Sequence, residues 1–327
     1  MIFLSEIENT FRFQSSQSGV DHYKVRVYFT VSLGTLDIAE DLVPVLDEGY
    51  YYVLGLKEIV QAYMEQNNYS LFTLGITARP YNADDEWMEE LDDISVSDEV
   101  LYNSLKLRGP ASSIVNQHFM TRHNSMLIAE GVNYMLHWEH GSVGDTFNVV
   151  YKLKDGTTLT FTENVNAVSG FTVIGRAQQK DAISAYAKYG SRELTLYYQD
   201  QPEHLIFEFR NMFNVVDRMT LPASVETSPS TEYEEASVNQ VSQHYDVEHG
   251  MEYKVKTGAL TEWQLDVLVE LCRSREVRMY RNLTEGWIDM LVKDYKLPKS
   301  NNPNTPRTAE LTLVPRAYED NTVMLLT

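Results

Sequence analysis

The stretch from Leu260 to Val292 most constrains the fold, because it predicts a helix followed directly by a β-hairpin. Thr261 and Gln264 have the spacing of a capping box, so the start of the helix is well specified. Leucines and Cys272 recur at steps of three and four residues and give this helix one apolar face. Beyond the helix, two short apolar runs flank residues 282–286, whose composition is typical of a hairpin loop.

Alternation of apolar and polar residues predicts half-buried β-strands elsewhere in the chain. From Lys24 to Val31, every second residue is valine or phenylalanine. The same alternation continues on both sides of Asp155-Gly156, a dipeptide that favours a tight hairpin turn. A helical period appears from Leu54 to Met64 and again after Leu260. The sequence therefore predicts a mainly β protein with two short helices.

Turn-forming stretches divide the chain into three predicted modules. Residues 1–108 form a β-sandwich-like module with one short helix, and Gly109-Pro110 marks its end. Residues 109–200 form a second antiparallel β-sandwich module of the Ig-like or fibronectin-like kind, because short strands recur with turns between them. Residues 201–327 form an α+β module that contains the capped helix and the hairpin. The predicted architecture is thus a tandem of sandwich modules with an α+β module at the C-terminal end.

Three polar segments are predicted to be exposed. Asp84 to Glu99 holds nine acidic residues and no basic one, and like charges resist compaction. Thr227 to Glu235 is a second acidic insertion of this kind. Leu297 to Pro306, with three prolines and three asparagines, suits neither a helix nor a central strand and is predicted to be an exposed arm.

Composition limits the class of protein. The chain has 327 residues, of which 43% are hydrophobic and 11% aromatic, and this is a globular composition. A net charge of −20 argues against binding to nucleic acid, whose phosphates require a basic surface, and against adsorption to anionic membranes. Cys272 is the single cysteine, so an intrachain disulfide is excluded and a buried thiol is predicted. No signal peptide and no apolar run of ~20 residues is found, so synthesis in a cytoplasm is expected.

A search for catalytic and cofactor-binding motifs finds none, so we expect no enzyme, no cofactor and no metal, and assign no site residue. The densest cluster is His137-Trp138-Glu139-His140. On a strand, His137 and Glu139 share a face and His140 points away, so these side chains do not converge on a metal and are predicted to face solvent at a strand end.

Two further histidine pairs and one aromatic run are candidates of the same kind. His118 and His123 fit no common ligand spacing, and His244 and His249 flank acidic residues in a predicted turn. Residues 50–52 are three consecutive tyrosines, whose middle ring on a strand points away from the other two. Core packing is the favoured interpretation of this run, and an interface role is the alternative.

Three segments resemble a known family. They are Glu208 to Phe213, Met251 to Gly258, and the helix that ends in Ser274-Arg275-Glu276-Val277. Together they resemble the C-terminal part of minor tail proteins of phages and prophages of gut anaerobes, whose pattern has an F-R-N-x-F-G strand, a K-V-x-T-G-x-L strand and a helix ending in S-R-E-V. Asn214 stands where that pattern has glycine. Gly49 to Met64 extends the resemblance, as a strand followed by a short helix.

The resemblance implies a non-enzymatic virion component of the tail tip or baseplate, made in the host cytoplasm. Its partners would be other tail or baseplate subunits or copies of itself, contacted through sheet edges, the arm or the acidic loop. A carbohydrate-binding or adhesin-like sandwich protein is the alternative. An adhesin must be exported, so the missing signal peptide favours the virion component. Nothing in the sequence supports a host-surface glycan as a partner.

Overall fold

A computed structural model describes residues 1–14, 19–31, 34–123, 125–129, 132–167, 169–175, 181–199, 204–238, 241–282, 286–298 and 306–316. The protein is mainly β, with several sheets, which confirms the predicted fold class. The described residues contain a 3₁₀-helix at Leu4–Glu6 and the α-helices α1 Ile7–Thr10, α2 Leu56–Asn67, α3 Ala111–Gln117 and α4 Glu262–Arg273. The two predicted helices are α2 and α4, whereas α1 and α3 are too short to leave a periodic pattern. No helix in these ranges is long and apolar enough to span a bilayer.

The first module contains two sheets with α2 packed against them. Its strands are β1 Ile2–Phe3, β2 Arg12–Phe13, β3 His22–Val31, β4 Gly34–Leu42, β5 Val45–Asp47, β6 Tyr50–Tyr52, β7 Leu71–Tyr81 and β8 Ile94–Leu101. The strand orders are β1-β8-β7-β3-β4 and β2-β6-β5. Val25, Val27 and Phe29 are buried as their alternation predicts, and Val60 and Met64 of α2 join the same apolar cluster. Removal of these side chains from water holds the helix on the sheet.

The acidic segment from Asp84 to Glu99 is a loop only in its first part, because β8 begins at Ile94 and pairs with β7. Ion pairs tie this loop to β3 and β7. Asp85 Oδ1 lies 2.9 Å from His22 Nε2 and 3.0 Å from Lys24 Nζ. The prediction of a loop is therefore wrong for residues 94–99, where apolar residues at alternate positions favour a strand.

The second module pairs a five-stranded sheet with a two-stranded one. Its strands are β9 Ser125–Ala129, β10 Asn133–Trp138, β11 Thr146–Leu153, β12 Thr158–Asn164, β13 Gly170–Gly175, β14 Ala182–Tyr189 and β15 Arg192–Gln199. The orders are β12-β11-β14-β15-β9 and β10-β13. The predicted turn at Asp155-Gly156 joins β11 to β12, and the Thr157 N–H donates to Asp155 Oδ1 at 2.8 Å. One apolar cluster fills the space that these strands enclose.

The third module is a seven-stranded sheet that carries α4. Its strands are β16 Leu205–Arg210, β17 Val216–Leu221, β18 Ala223–Val238, β19 Val241–Thr257, β20 Val277–Asn282, β21 Gly286–Lys296 and β22 Glu310–Pro315, in the order β17-β16-β20-β21-β22-β19-β18. The capping box of α4 is present, with the Thr261 N–H donating to Gln264 Oε1 at 2.8 Å. Leu268 and Leu271 of α4 are fully buried against the sheet.

A long two-stranded ribbon corrects two predictions of loop structure. Thr227 to Glu235, predicted to be an exposed insertion, lies within β18, and the predicted turn around His244 and His249 lies within β19. The two strands pair from Ala223 opposite Thr257 to Val238 opposite Val241. Charged residues do not exclude a strand, so the acidic composition is not a reliable sign of a loop here.

Among the described residues, four apolar clusters form the interior. Three of them draw their buried residues from 4–102, 119–196 and 207–313. The fourth joins Phe3 and Leu101 to Val115, Met120 and Phe213, and so draws on all three predicted modules. The module boundaries themselves stay predictions. Most of the predicted arm from Leu297 to Pro306, residues 299–305, lies outside the described residues.

Candidate functional site

The residues that carry the family resemblance come together at the junction of the modules. The Arg210 N–H donates to Ser274 Oγ at 3.0 Å, and Arg210 Nε lies 2.9 Å from Glu276 Oε2. Ser274 Oγ in turn donates to the Glu276 carbonyl at 2.7 Å. Hydrogen bonds between the two motifs therefore join the end of β16 to the segment after α4.

The backbone at Asn214 has a conformation that favours glycine, the residue that the resembled pattern has at this position. Its φ of 62° lies in the left-handed region, which glycine adopts freely and asparagine tolerates better than most residues. Its buried side chain also makes contacts that glycine cannot make. Asn214 Nδ2 donates to the carbonyls of Met64, at 2.9 Å, and Tyr69, at 3.0 Å, at the C-terminal end of α2.

Arg275 closes the same helix end from the third module. Its Nη2 donates to the Glu65 carbonyl at 2.6 Å and to Asn214 Oδ1 at 3.0 Å. A cation is favoured at the C-terminal end of a helix, where free carbonyl groups carry partial negative charge. The last turn of α2 thus obtains hydrogen-bond donors from residues far away in the sequence.

Two buried carboxyl groups lie beneath this junction. The first, Asp217, has several hydrogen-bond donors around it. It accepts hydrogen bonds from the Tyr134 hydroxyl at 2.5 Å, Thr121 Oγ1 at 2.8 Å and Asn211 Nδ2 at 3.1 Å. Burial, together with the Asp217 charge, raises the pKa of Tyr134 well above its usual value. These bonds join the second module to the third.

The second carboxyl group, Glu270 on α4, is poorly compensated. Its side chain is 2% exposed, Oε2 accepts from the Met212 N–H at 3.2 Å, and Oε1 has no hydrogen-bond partner among the described residues. The nearest cation is Arg122, whose Nη1 lies 3.7 Å from Oε1. Burial raises the pKa of Glu270 to about 7, and the nearby charge of Asp217 adds to the shift.

A cavity of about 250 Å³ opens beside this junction, between the first and third modules. Its lining includes Glu65, Tyr102, Arg210 and Glu270. The Tyr102 hydroxyl donates to Glu65 Oε1 at 2.6 Å, and burial raises the pKa of that tyrosine. The lining groups bond mainly to one another, so the geometry is suited to holding the two modules together. The layer of hydrogen bonds made by Arg210, Asn214 and Arg275 is named the joint.

A wider cleft of about 570 Å³ contains the histidine cluster of the sequence. His140 Nε2 lies 2.9 Å from Glu99 Oε1, and Ser70 Oγ donates to Glu139. Burial lowers the pKa of His137 and raises that of Glu139. The prediction that these side chains face solvent holds only in part. They are partly exposed in the cleft, and Glu139 and His140 also connect the second module to the first.

The remaining sequence candidates are not brought together. His118 is exposed, whereas His123 is 5% exposed, packs its ring 5.9 Å from that of Trp263, and has a pKa lowered by burial. The side chains of His244 and His249 lie outside the described part of the structure. In that part, no group of three or more His, Cys, Asp or Glu residues is placed to hold a metal ion.

The tyrosine run lies at the edge of the first core. The Tyr51 ring packs 5.5 Å from Phe13 and 4.9 Å from Tyr23, whereas the guanidinium of Arg12 lies 4.6 Å from the Tyr50 ring. All three tyrosines are half-buried. Core packing, which is the favoured interpretation of the run, thus accounts for the ring of Tyr51.

Sequence reasoning did not identify Asn214, Arg275 and Glu270 as site residues. Their partners are far away in the sequence, so no local pattern marks them. The replacement of a family glycine by Asn214 was the one available signal, because it points to a backbone position with positive φ.

Neither a protein-family model nor a curated protein matches the chain. Among solved structures, a chain of the structure titled "Virion of native gene transfer agent (GTA) particle" matches with 10% sequence identity and a TM-score of 0.23. The match covers 36% of this chain and 95% of that chain. A TM-score this low does not establish a shared fold, so this match supports no conclusion about function.

Proposed function

We propose that this chain is a non-enzymatic structural subunit of a phage or prophage tail, at the tail tip or baseplate. It acts through contacts with other tail subunits. The family resemblance motivates the proposal, and the ribbon of β18 and β19 is the structural observation that carries it.

The ribbon extends well beyond the sheet from which it starts. β22 pairs with β19 only from Tyr253 to Lys256. From Ser228 and Glu252 outward, the two strands pair only with each other among the described residues. At about 3.3 Å per residue, the ribbon reaches roughly 35 Å past the third strand.

A ribbon of this kind is expected to need a neighbour. A two-stranded hairpin alone is marginally stable in water. The register also places Glu232 opposite Glu248 and Glu234 opposite Asp246, and like charges at opposed positions weaken a strand pair. Both outer edges offer backbone groups for strand addition. Docking on another subunit would therefore stabilise the ribbon.

The test is a shortened chain in which residues 228–252 are replaced by Asn-Gly, so that a tight turn joins Thr227 to Tyr253, which oppose each other in the ribbon. The thermal unfolding of the purified variant should stay close to that of the unchanged chain, because no described residue of this segment belongs to a core cluster. Incorporation of the variant into tail particles, measured by quantitative immunoblot, should be lost.

A matched control places the same turn at a hairpin far from the ribbon, by Asp155→Asn before Gly156. This variant should enter particles normally. Normal incorporation of the shortened chain would contradict a role for the ribbon. Purified particles that lack the protein altogether would contradict the tail proposal itself.

One observation favours the carbohydrate-binding alternative, namely an exposed aromatic ring beside the wide cleft. Phe171 is 56% exposed and lines this cleft together with Glu99 and His140. Aromatic faces and carboxylates are groups that bind sugars. Specific binding on a glycan array that Phe171→Ala abolishes would favour this alternative. Turnover of a glycoside, ester or peptide that one His or acidic substitution abolishes would contradict the non-enzymatic proposal.

A further inference from the structure

The edge strand β12 carries only one of the features that usually keep a sheet edge from pairing with another chain. Natural edges carry lysine, proline, a β-bulge, a very short strand or a charged residue on the core-facing row. Of these, β12 has Glu163, which stands opposite the buried Phe147. β12 has the sequence T-L-T-F-T-E-N, and its register with β11 is continuous from Thr158 to Asn164. All seven of its residues are exposed, and its outer side meets no other strand of the described structure.

Several other edges of the described sheets carry protective features. β4 contains Asp37, Glu40 and Asp41, and its pairing with β3 shifts register twice. β1, β2 and β5 have two or three residues. β12 combines seven residues with a continuous register and has no lysine, proline or bulge.

The core-facing row of β12 is incompletely covered. Leu159 and Phe161 stand opposite the buried residues Tyr151 and Val149, so they lie on the core face of the sheet. Each is nevertheless 40% exposed, because the opposing sheet contains only β10 and β13. The Phe161 ring contacts that of Tyr151 at 5.5 Å between centroids. An additional strand beside β12 would cover this apolar row.

We propose that β12 is a docking site for an extended segment of a different protein, which adds to the five-stranded sheet as a sixth strand. Backbone groups of the free edge bind the segment, and Leu159 and Phe161 select apolar residues at alternate positions. The intervening positions lie beside threonines and accept β-branched or polar residues.

Charge indicates the kind of partner. Glu163 is exposed near the end of β12, and its Oε2 accepts a hydrogen bond from Thr172 Oγ1 at 3.1 Å. No described cation pairs with Glu163, so a basic residue of the docked segment would complement it. A second copy is the less suitable occupant, because two chains of net charge −20 repel each other. The inference goes beyond the tail proposal, since it depends on β12 and not on the ribbon.

The test uses the full chain and a synthetic peptide that alternates valine with threonine and ends in lysine. Hydrogen exchange with mass spectrometry should show that the amides of β12 exchange about tenfold more slowly with the peptide present. The amides of β4 should not change. A peptide of the same sequence with N-methylated alternate residues, which cannot pair with a strand edge, should give no protection.

Three results would overturn the inference: no protection of β12, equal protection by the N-methylated peptide, or equal protection of β4. A dimer that forms without peptide and that Thr160→Pro disrupts would make a second copy the occupant and overturn the choice of partner. The measurement needs only purified protein, so its failure is distinguishable from failure of the ribbon in particles.

Discussion

A carboxyl group that is buried without sufficient partners makes protein stability depend on pH, and Glu270 is such a group. Its pKa is raised from 4.5 to about 7 in the folded protein. The folded state therefore holds a proton that the unfolded state releases above pH 4.5. Stability is fully present below that pH and is lost as pH rises through 7, by up to about 3 kcal/mol.

Glu270→Gln keeps the shape of the side chain and removes this charge. We expect the variant to raise the free energy of unfolding by about 2–3 kcal/mol at pH 8 and to change it little at pH 4.5. Urea unfolding at both pH values measures the difference. Asp266→Asn, at a half-exposed carboxylate that also lies near Arg122, is the matched control and should shift stability by less than about 1 kcal/mol. An equal effect of Glu270→Gln at both pH values would show that the pKa of this carboxyl group does not differ between the folded and the unfolded protein.

At the scale of elements, structure that depends on residues close together in the sequence could be predicted. Pairings between distant segments could not. The start of α4 could be predicted because the capping box and the apolar period lie within one short stretch. The hairpin of β11 and β12 could be predicted because a turn dipeptide lies between alternating runs. The parallel pairs β1 with β8 and β9 with β15 join distant segments, and no local pattern specifies such a register.

The ribbon of β18 and β19 and the joint could not be predicted for the same reason. β18 and β19 pair along strands whose composition resembles an exposed loop, and no local pattern marks their register. Asn214 and Arg275 bond residues at the end of α2, more than a hundred positions earlier in the chain. Only the tertiary structure brings these groups together, so the joint could not be predicted from spacing.

Helix α4 provides a direct test of its predicted apolar face. Leu268 is fully buried, and Cys272 is half-buried beside it, with a pKa that burial raises to about 12. A thiol reagent should therefore react slowly with the folded protein and rapidly after denaturation, because the thiolate is the reactive form. Leu268→Ala should lower the free energy of unfolding by about 2–5 kcal/mol.

Labelling kinetics and denaturant unfolding measure these two effects. Leu265→Ala, at a partly buried position of the same helix, is the matched control and should cost less than Leu268→Ala. Rapid labelling of the native protein would show that the face bearing Cys272 is more accessible than its packing indicates.

At the scale of the whole molecule, we expect the joint to couple the stability of α2 in the first module to residues of the third module. Arg275 places one guanidinium between the Glu65 carbonyl and Asn214 Oδ1. Hydrogen bonds of a charged donor contribute about 1.5–3 kcal/mol when buried, and this side chain is partly exposed, so about 1–2 kcal/mol is expected. Arg275→Ala should release the last turn of α2 although the substitution lies in another module.

The expected result is faster amide hydrogen exchange at residues 64–70 in the Arg275→Ala chain. Arg275→Lys should recover less than half of the protection, because one ammonium group cannot reproduce the geometry of a planar guanidinium. Arg273→Ala, which removes an exposed charge from the end of α4, is the control and should leave exchange at residues 64–70 unchanged. If exchange there is also unchanged in Arg275→Ala, Arg275 contributes nothing to the coupling of the modules. The coupling then depends on the hydrogen bonds of Asn214 and on the shared apolar cluster around Phe213.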